Sequence, residues 1–410
     1  MTSPPQLSDR RALLPWYLIE FLNSYAATLF CAGCYDFAGE VLGQPPSVRL
    51  WMSAAWGFAY IFIALMAGRL SEKLGPRRVV GLMVMLCVFT PLLGLLAYYT
   101  RNVWVLAAVM LPFNITSSTI WPALESAITR TPAKMPLSTR MAIYNLSWGS
   151  AGFVAFFTRG ALFKIDWSMV FVATSIASLI SLLVFIKFAI PAHMISADHV
   201  PTEADHETAH DTPALQARAK TLLHMAWVGN ALAYVAINVL IPVQYRIGTL
   251  GGLSDPALIG FITSIWGFSR FAGFAITWRW HGWHYKIRWL LGSQIALAVS
   301  FALMLLFHDP VIFAGLQVLF GLATAIVYSC SLYYAMHVSD GGGEHAGIHE
   351  ALIGLGIAIG PAVGAIAGGS DFGAPALRNI SLGVSVVMAI GIIVQIIIAA
   401  RHAKPAVHPS

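Results

Sequence analysis

"GRLSEKLGPRR", from Gly68 to Arg78, places a cluster of charged residues between two long apolar stretches, in a gap too short to fold alone. Only 10% of the residues in this 410-residue chain are charged, whereas 58% are hydrophobic. A soluble protein usually carries about 25% charged residues, so the charge here is too little to cover a water-facing surface. The composition therefore predicts an integral membrane protein in which Gly68 to Arg78 is a loop between two spanning helices.

The apolar segments predict the architecture, because a helix that crosses a bilayer needs about 20 mostly apolar residues. Twelve segments meet this condition, which predicts an all-α membrane protein with 12 transmembrane helices. The longest polar gap, residues 191–219, is expected to be a cytoplasmic linker between an N-terminal six-helix bundle at 1–190 and a C-terminal six-helix bundle at 220–410. The approximate limits of the segments are 14–38, 48–70, 78–99, 103–128, 139–162, 167–190, 220–246, 256–278, 287–307, 311–337, 346–369 and 377–400.

The basic residues predict the orientation, because cytoplasmic loops of membrane proteins are enriched in lysine and arginine. With a cytoplasmic N-terminus, most of the 24 lysines and arginines lie on the cytoplasmic side, and so do both termini. We therefore expect a multi-pass protein of the cell's inner (cytoplasmic) membrane. The net charge of +6 has the same explanation, so no nucleic-acid partner is expected. The four cysteines lie in apolar segments without ligand spacing, and no metal or cofactor is expected.

The charged loop also carries a motif. Its residues follow the pattern G-x-L-x-(D/E)-(R/K)-x-G-x-R-(R/K), with Glu72 at the acidic position. In this pattern, and in its position between the second and third segments, the loop resembles the signature of the major facilitator superfamily. The resemblance implies two pseudo-symmetric six-helix bundles that rock around one site at mid-membrane, and a gate at the cytoplasmic mouth. The implied gate residues are Gly68, Glu72, Lys73, Gly75, Arg77 and Arg78.

Three residues of the motif have a specific physical expectation. Gly68 is expected to let the second helix approach a neighbouring helix closely. Gly75 is expected to supply a turn that a side chain would block. Glu72 is expected to cap a helix end or to pair with an arginine across the seam between the halves when the inner mouth is closed.

Ionisable residues inside apolar segments are costly and are therefore candidates for function. Such candidates here are Glu20, Glu125, Arg270, His349 and Glu350. A carboxyl group in a low-dielectric site can take up and release a proton near neutral pH, which predicts proton coupling by Glu20 or Glu350. Each acid could instead belong to an ion pair that only fixes packing, the reading favoured for Glu125 and Arg270. Asp36, near the outer end of the first segment, is expected to be a charge on the rim.

The resemblance also implies a central cavity lined by the first, fourth, seventh and tenth helices. Polar and aromatic residues of these segments, with one tryptophan each from the fifth and eighth, are therefore candidates for contact with a substrate. They are Asn23, Tyr25, Thr28, Asn114, Ser118, Trp148, Asn230, Tyr234, Asn238, Trp266, Tyr328 and Tyr333.

Together these features predict a secondary active transporter that moves a small organic solute across the membrane by alternating access, coupled to protons or another ion. A monomer in the lipid bilayer is expected. No paired catalytic groups or nucleotide-binding loop indicate an enzyme or an ATP-driven pump. The alternatives are a lipid, lysolipid or metal-ion carrier of the same fold, or a non-transporting membrane sensor.

Overall fold

The computed structural model describes residues 9–189, 213–339, 343–371 and 373–402. Within these residues the regular secondary structure is entirely helical, and twelve long helices follow one another along the chain. The prediction of an all-α protein with 12 helices is confirmed. The helices are α1 Asp9–Asp36, α2 Pro46–Leu74, α3 Pro76–Thr100, α4 Val103–Arg130, α5 Leu137–Ile165, α6 Met169–Phe188, α7 Pro213–Leu250, α8 Pro256–Arg279, α9 Ile287–Leu306, α10 Pro310–Ser339, α11 Gly343–Gly368 and α12 Ala374–His402.

Ten of these helices are long and apolar enough to cross a membrane. The other two are α1 and α5, which are of similar length, at 28 and 29 residues. Both contain several polar residues within their apolar sequence, among them Glu20, Asn23 and Arg159. Because unpaired polar groups are not tolerated against lipid, α1 and α5 are expected to face the protein interior.

Local sequence signals explain where several helices begin. The Asn102 carboxamide oxygen accepts hydrogen bonds from the backbone N–H groups of Trp104 and Val105 and so caps α4. Such caps satisfy backbone donors that the first helical turn leaves unpaired. The prediction that Gly68 to Arg78 is a loop is wrong, because the helices on both sides extend into it and only Gly75 separates α2 from α3. The φ of Gly75, +82°, lies in the region that favours glycine.

The twelve helices pack as two sets of six that meet along two seams. In the first set α1 packs on α5 and α6, and α4 packs on α2 and α3. In the second set α7 packs on α10, α11 and α12, and α9 packs on α10 and α12. The most extensive contacts between the sets are those of α2 with α11 and of α5 with α8. Because α8 and α11 are the counterparts of α2 and α5, the two seams are equivalent, as expected for two pseudo-symmetric bundles.

Glycines allow the close approach of helices at both seams. A Cβ on Gly57 of α2 would lie 2.5 Å from the backbone N of Ala358 of α11. A Cβ on Gly160 of α5 would lie 2.1 Å from the carbonyl oxygen of Pro256 of α8. Both separations are shorter than any real side chain permits, so each seam requires a glycine at this point.

The side of the molecule at which α1 begins and α12 ends is called here the terminal side, and the opposite side the distal side. On the distal side the two sets are joined by an ion pair and by stacked rings. The Lys164 ammonium donates a hydrogen bond of 2.8 Å to Asp255, and this bond holds the pKa of the Asp255 carboxyl below its usual range. Next to it, Phe163 stacks on Trp167, and Tyr245 of α7 packs edge-on against both rings.

Asp36 lies beneath this distal contact, and the prediction that it is a rim charge is wrong. Its side chain is completely buried, with Oδ2 3.1 Å from Nε of Arg159, which is also completely buried. Arg159 in turn donates a hydrogen bond of 3.2 Å to the Thr263 hydroxyl, across the seam between α5 and α8. The chain continues beyond Asp36 as a π-helical turn, Phe37–Val41, instead of opening into solvent.

Replacement of Asp36 is expected to destabilise the protein strongly. The change Asp36→Asn leaves the Arg159 charge buried without its partner, which should lower the free energy of unfolding by about 3 kcal/mol. Chemical unfolding in detergent micelles measures this loss. The control is Asp255→Asn, which removes an exposed ion pair and should cost much less. Equal losses for the two variants would contradict a buried Asp36–Arg159 pair.

Replacement of Gly160 is expected to open the distal side. The change Gly160→Leu forces a side chain against the backbone of Pro256, so α5 and α8 must separate there. Distance measurements between spin labels at the exposed positions Ile165 and Leu258 should shift to longer values, in a background without the native cysteines. Gly315→Leu is the control, because a Cβ on this glycine meets no atom within 4 Å in the part of the chain that the structure describes. Unchanged label distances in Gly160→Leu would show that this contact does not hold the distal side closed.

Candidate functional site

A cavity of about 210 Å³ lies between the two sets of helices. Its lining comes from α1, α2, α4 and α5 of the first set and from the equivalent α7, α8, α10 and α11 of the second. Three carboxyl groups and one guanidinium group face it, from Glu20, Glu125, Glu350 and Arg270. Much of the remaining wall is aromatic, formed by Tyr35, Trp56, Tyr60, Trp121, Tyr144, Trp148, Phe156, Tyr234, Trp266 and Tyr328.

The three carboxyl groups converge on one part of the cavity, which we call the acidic pocket. It consists of Glu20 of α1, Glu125 of α4 and Glu350 of α11, with the rings of Tyr60, Trp121 and Tyr144. Both sets of helices contribute, because Glu350 belongs to the second set and the other five residues to the first. The carboxyls are near enough to one another to interact electrostatically.

Two of the three carboxyl groups receive strong hydrogen bonds. Glu20 is completely buried and accepts a bond of 2.6 Å from the Ser24 hydroxyl, one helical turn further along α1. Ser24 in turn accepts a bond of 3.1 Å from the indole N–H of Trp121. Glu350 accepts a bond of 2.5 Å from the Tyr60 hydroxyl, which crosses the seam between α2 and α11. This last bond joins the two sets of helices directly at the acidic pocket.

Arg270 occupies a different part of the cavity and is surrounded by aromatic rings. Its guanidinium carbon lies 4.3 Å from the centroid of the Trp148 ring. Three more ring centroids, those of Tyr234, Phe274 and Tyr328, lie between 5.5 and 5.7 Å away. In the described part of the chain Arg270 forms no salt bridge, so the structure does not bring Arg270 and Glu125 together as an ion pair. Cation–π contacts stabilise its charge instead.

His349 precedes Glu350 on α11 but does not line the cavity. Its Nδ1 lies 2.9 Å from the Ser331 hydroxyl, and its ring packs edge-on against Tyr328. Of the five ionisable candidates, the structure therefore brings Glu20, Glu125, Arg270 and Glu350 to one cavity and places His349 behind its wall.

The twelve cavity candidates divide evenly. The structure places six of them in the cavity wall: Thr28, Trp148, Tyr234, Asn238, Trp266 and Tyr328. The other six, which lie elsewhere, are Asn23, Tyr25, Asn114, Ser118, Asn230 and Tyr333.

Several of those six form hydrogen bonds within or between helices instead. Asn114 donates a hydrogen bond of 3.0 Å to the Trp56 carbonyl, and Ser118 donates one of 2.7 Å to Asn114. The Tyr25 and Thr158 hydroxyls lie 3.0 Å apart. A polar side chain in an apolar segment can thus be satisfied by a neighbouring helix, without any cavity.

Six aromatic residues of the cavity wall were not among the candidates from the sequence: Tyr35, Trp56, Tyr60, Trp121, Tyr144 and Phe156. For two of them, the sequence separation from a candidate residue gave a signal. Trp121 lies four residues before Glu125 and Tyr144 four residues before Trp148, so each shares a helix face with a residue already singled out.

The candidate gate residues lie together at the terminal end of α2 and the start of α3. Glu72 is exposed and forms no ion pair with any residue that the structure describes. A Cβ on Gly68 would meet no neighbouring helix within 4 Å in the same part of the chain, so the expected close approach is absent here. The Arg77 guanidinium lies 4.9 Å from the centroid of the Phe185 ring. Lys73 and Arg78 are exposed.

Solved structures of several transporters resemble this fold closely over nearly their whole length. The nucleoside transporter NupG matches with a TM-score of 0.69 at 14% identity, over 94% of this chain and 98% of that one. A bacterial homologue of the human lysosomal transporter Spinster matches with a TM-score of 0.67 at 13% identity, over 97% of both chains. A POT family transporter, solved with a thioalcohol-conjugated peptide, matches with a TM-score of 0.73 at 10% identity, over 96% of both chains.

Comparison of the sequence with curated proteins gives no match. The family model of the Major Facilitator Superfamily, by contrast, matches residues 16–346, which is most of the chain. With twelve helices in two equivalent sets and a cavity between them, the chain belongs to the Major Facilitator Superfamily of secondary transporters.

Proposed function

We propose that this protein moves a small organic solute across the cytoplasmic membrane by alternating access, and that protons drive the movement. The observation that carries the proposal is the acidic pocket, where three carboxyl groups from both sets of helices meet in one cavity. Lone charges inside a membrane protein are costly and mark ion or substrate pathways. The cavity is complete within one chain, so we propose a transporter that works as a monomer.

The closed distal side corresponds to one end state of an alternating-access cycle. The distal contacts of Gly160 with Pro256 and of Lys164 with Asp255 join the two sets of helices beyond the cavity. In the proposed cycle, residues 1–190 and 220–410 rock as two bodies, and these contacts break when the cavity opens to the distal side. The excess of basic residues on the terminal side predicts that this side is cytoplasmic. The conformation described here would then be the inward-facing one.

The proposed proton carriers are Glu20 and Glu350. A carboxyl group can take up a proton when the cavity faces one side and release it when the cavity faces the other. Glu350 is suited to link this exchange to movement, since its hydrogen bond from Tyr60 crosses the seam between the two sets of helices. Protonation of Glu350 changes the strength of the hydrogen bond that it accepts from Tyr60. It therefore changes how strongly α2 is held against α11.

The gate residues fit the same cycle. In the proposed outward-facing state the terminal ends of the two sets approach each other, and Glu72 gains a basic partner across the seam. Its exposure here, and the open space in front of Gly68, are what an open terminal mouth requires.

Charge removal at the proton carriers tests the proposal. A thermal-shift screen of a solute library at two pH values first identifies a bound solute, whose transport is then followed in vesicles containing the protein. Glu20→Gln and Glu350→Gln should each lose accumulation driven by a pH gradient, because no proton is exchanged. Both should keep counterflow exchange of the solute, which needs only the alternation of the two states.

The control for these variants is Asp371→Asn, which removes an exposed acid far from the cavity and should transport normally. A dye that reports pH inside the vesicles should register proton entry with the solute or against it in wild-type protein. Full pH-driven accumulation in both glutamine variants would eliminate Glu20 and Glu350 as proton carriers. Absence of any solute movement by the wild-type protein under every gradient would contradict the transport function itself.

A further inference from the structure

We infer that the cavity binds organic molecules with a single positive charge and an aromatic or branched apolar group, with the charge placed against Glu125. The inference rests on the proposed function, in that the bound cation would be the transported solute. It is carried by the excess of acidic over basic groups in the cavity, by the hydrogen bonds that Glu20 and Glu350 already receive, and by the aromatic rings of the acidic pocket.

Acidic groups outnumber basic groups among the residues that face the cavity. Three carboxyl groups line it, against the single guanidinium of Arg270 among the residues that the structure describes. Arg270 does not neutralise any of them by direct pairing, since its charge lies on the Trp148 ring. Opposite charges attract more strongly at low dielectric than in water, so each carboxyl of the acidic pocket that is ionised favours entry of a positive charge.

Glu125 is the carboxyl best placed to receive that charge. Glu20 is completely buried, with one oxygen bound by Ser24, and Glu350 is already bound by Tyr60. Glu125 is half-buried, so the cavity can reach it, and it interacts with the Tyr144 hydroxyl that also interacts with Glu20. The Tyr144 hydroxyl is thus shared with Glu20, and unlike Glu20 and Glu350, Glu125 has no donor among the described residues that serves it alone, which leaves it the best able to accept from a ligand.

Aromatic residues share the acidic pocket with this carboxyl. Trp121 lies one helical turn before Glu125 on α4, and its ring centroid is 6.1 Å from that of Tyr60. Tyr144 completes the wall from α5. The faces of aromatic rings attract cations, and such rings are the usual surroundings of quaternary ammonium ligands in proteins. A ligand with both a charge and an apolar group would satisfy the carboxyl and the rings together.

The same cavity already holds one organic cation, its own Arg270 side chain. Trp148, which packs against that guanidinium, lies one helical turn beyond Tyr144 on α5, about 6 Å along the helix axis. The arginine site therefore shows how this aromatic surface accommodates a planar positive group. An anion would have to displace rings from Arg270 while remaining near three carboxyl groups, which disfavours an acidic ligand.

Three probes of similar shape and different charge test the inference on the purified full-length protein. They are benzyltrimethylammonium, its neutral carbon analogue neopentylbenzene, and the anion benzylsulfonate. Binding is followed by the fluorescence of the cavity tryptophans, with thermal shift as a second readout. The cation should bind at least about tenfold more tightly than either of the others. Tighter binding of the anion, equal binding of the three probes, or binding of none of them would overturn the inference.

Variants of Glu125 test whether the positive charge of the ligand lies against this carboxyl. Glu125→Gln should weaken binding of benzyltrimethylammonium on the order of tenfold and leave binding of neopentylbenzene unchanged. Glu125→Asp keeps the charge and should largely retain the affinity for the cation, which separates loss of charge from loss of fold. Asp371→Asn is the matched control for removal of a distant acid. Full affinity for the cation in Glu125→Gln would show that Glu125 is not its partner.

The failure of this inference can be told apart from failure of the proposed transport. If benzyltrimethylammonium binds in the expected way but no solute crosses the membrane of reconstituted vesicles, the inferred cation site is supported and the proposed transport function is wrong. If a neutral or anionic solute is accumulated under a pH gradient while the cation does not bind, the proposed transport function is supported and the assignment of a cationic ligand is wrong.

Discussion

A charge inside a lipid-embedded helix bundle needs a partner, a polarisable surface or a cavity, because an isolated charge in hydrocarbon is too costly to keep. This protein uses all three solutions within one pair of bundles. Asp36 and Arg159 pair directly beneath the closed distal side. Arg270 lies on the faces of aromatic rings. The three carboxyl groups of the acidic pocket face a cavity instead.

The three solutions differ in what they permit. The Asp36–Arg159 pair is completely buried and fixed by a further bond to Thr263, so it contributes to structure and to the distal closure. The aromatic surroundings of Arg270 hold a charge without neutralising it. The acidic pocket alone leaves carboxyl oxygens in contact with space that a proton or a ligand can enter. Function is therefore expected at the pocket, and support for the fold at the distal pair.

The sequence predicted the architecture better than the site, and the reasons are physical. The twelve helices and all four acidic or basic residues of the cavity were evident from the sequence, because long apolar segments and the few ionisable residues within them are easy to recognise. Tyr60 and Trp121 were missed because aromatic residues are common throughout such helices, and only the fold shows which of them meet. Asn114 was misplaced because its amide is satisfied by the Trp56 carbonyl of a neighbouring helix. Asp36 was misjudged because a π-helical turn continues the chain where the apolar segment suggests an exposed end.

The position of the acidic pocket explains how one cavity can serve both a proton and a solute. A ligand shifts a conformational equilibrium only by as much as its affinity differs between the two states. Tyr60 and Glu350 belong to different bundles, so their hydrogen bond depends on the state of the seam between α2 and α11. Glu125 faces the same pocket and is available to a ligand, but it lies on the first bundle only. In the proposed cycle, occupation of Glu125 changes the electrostatic environment of Glu350 and with it the strength of the bond across the seam. Solute and proton would then act on the same movement without sharing one carboxyl group.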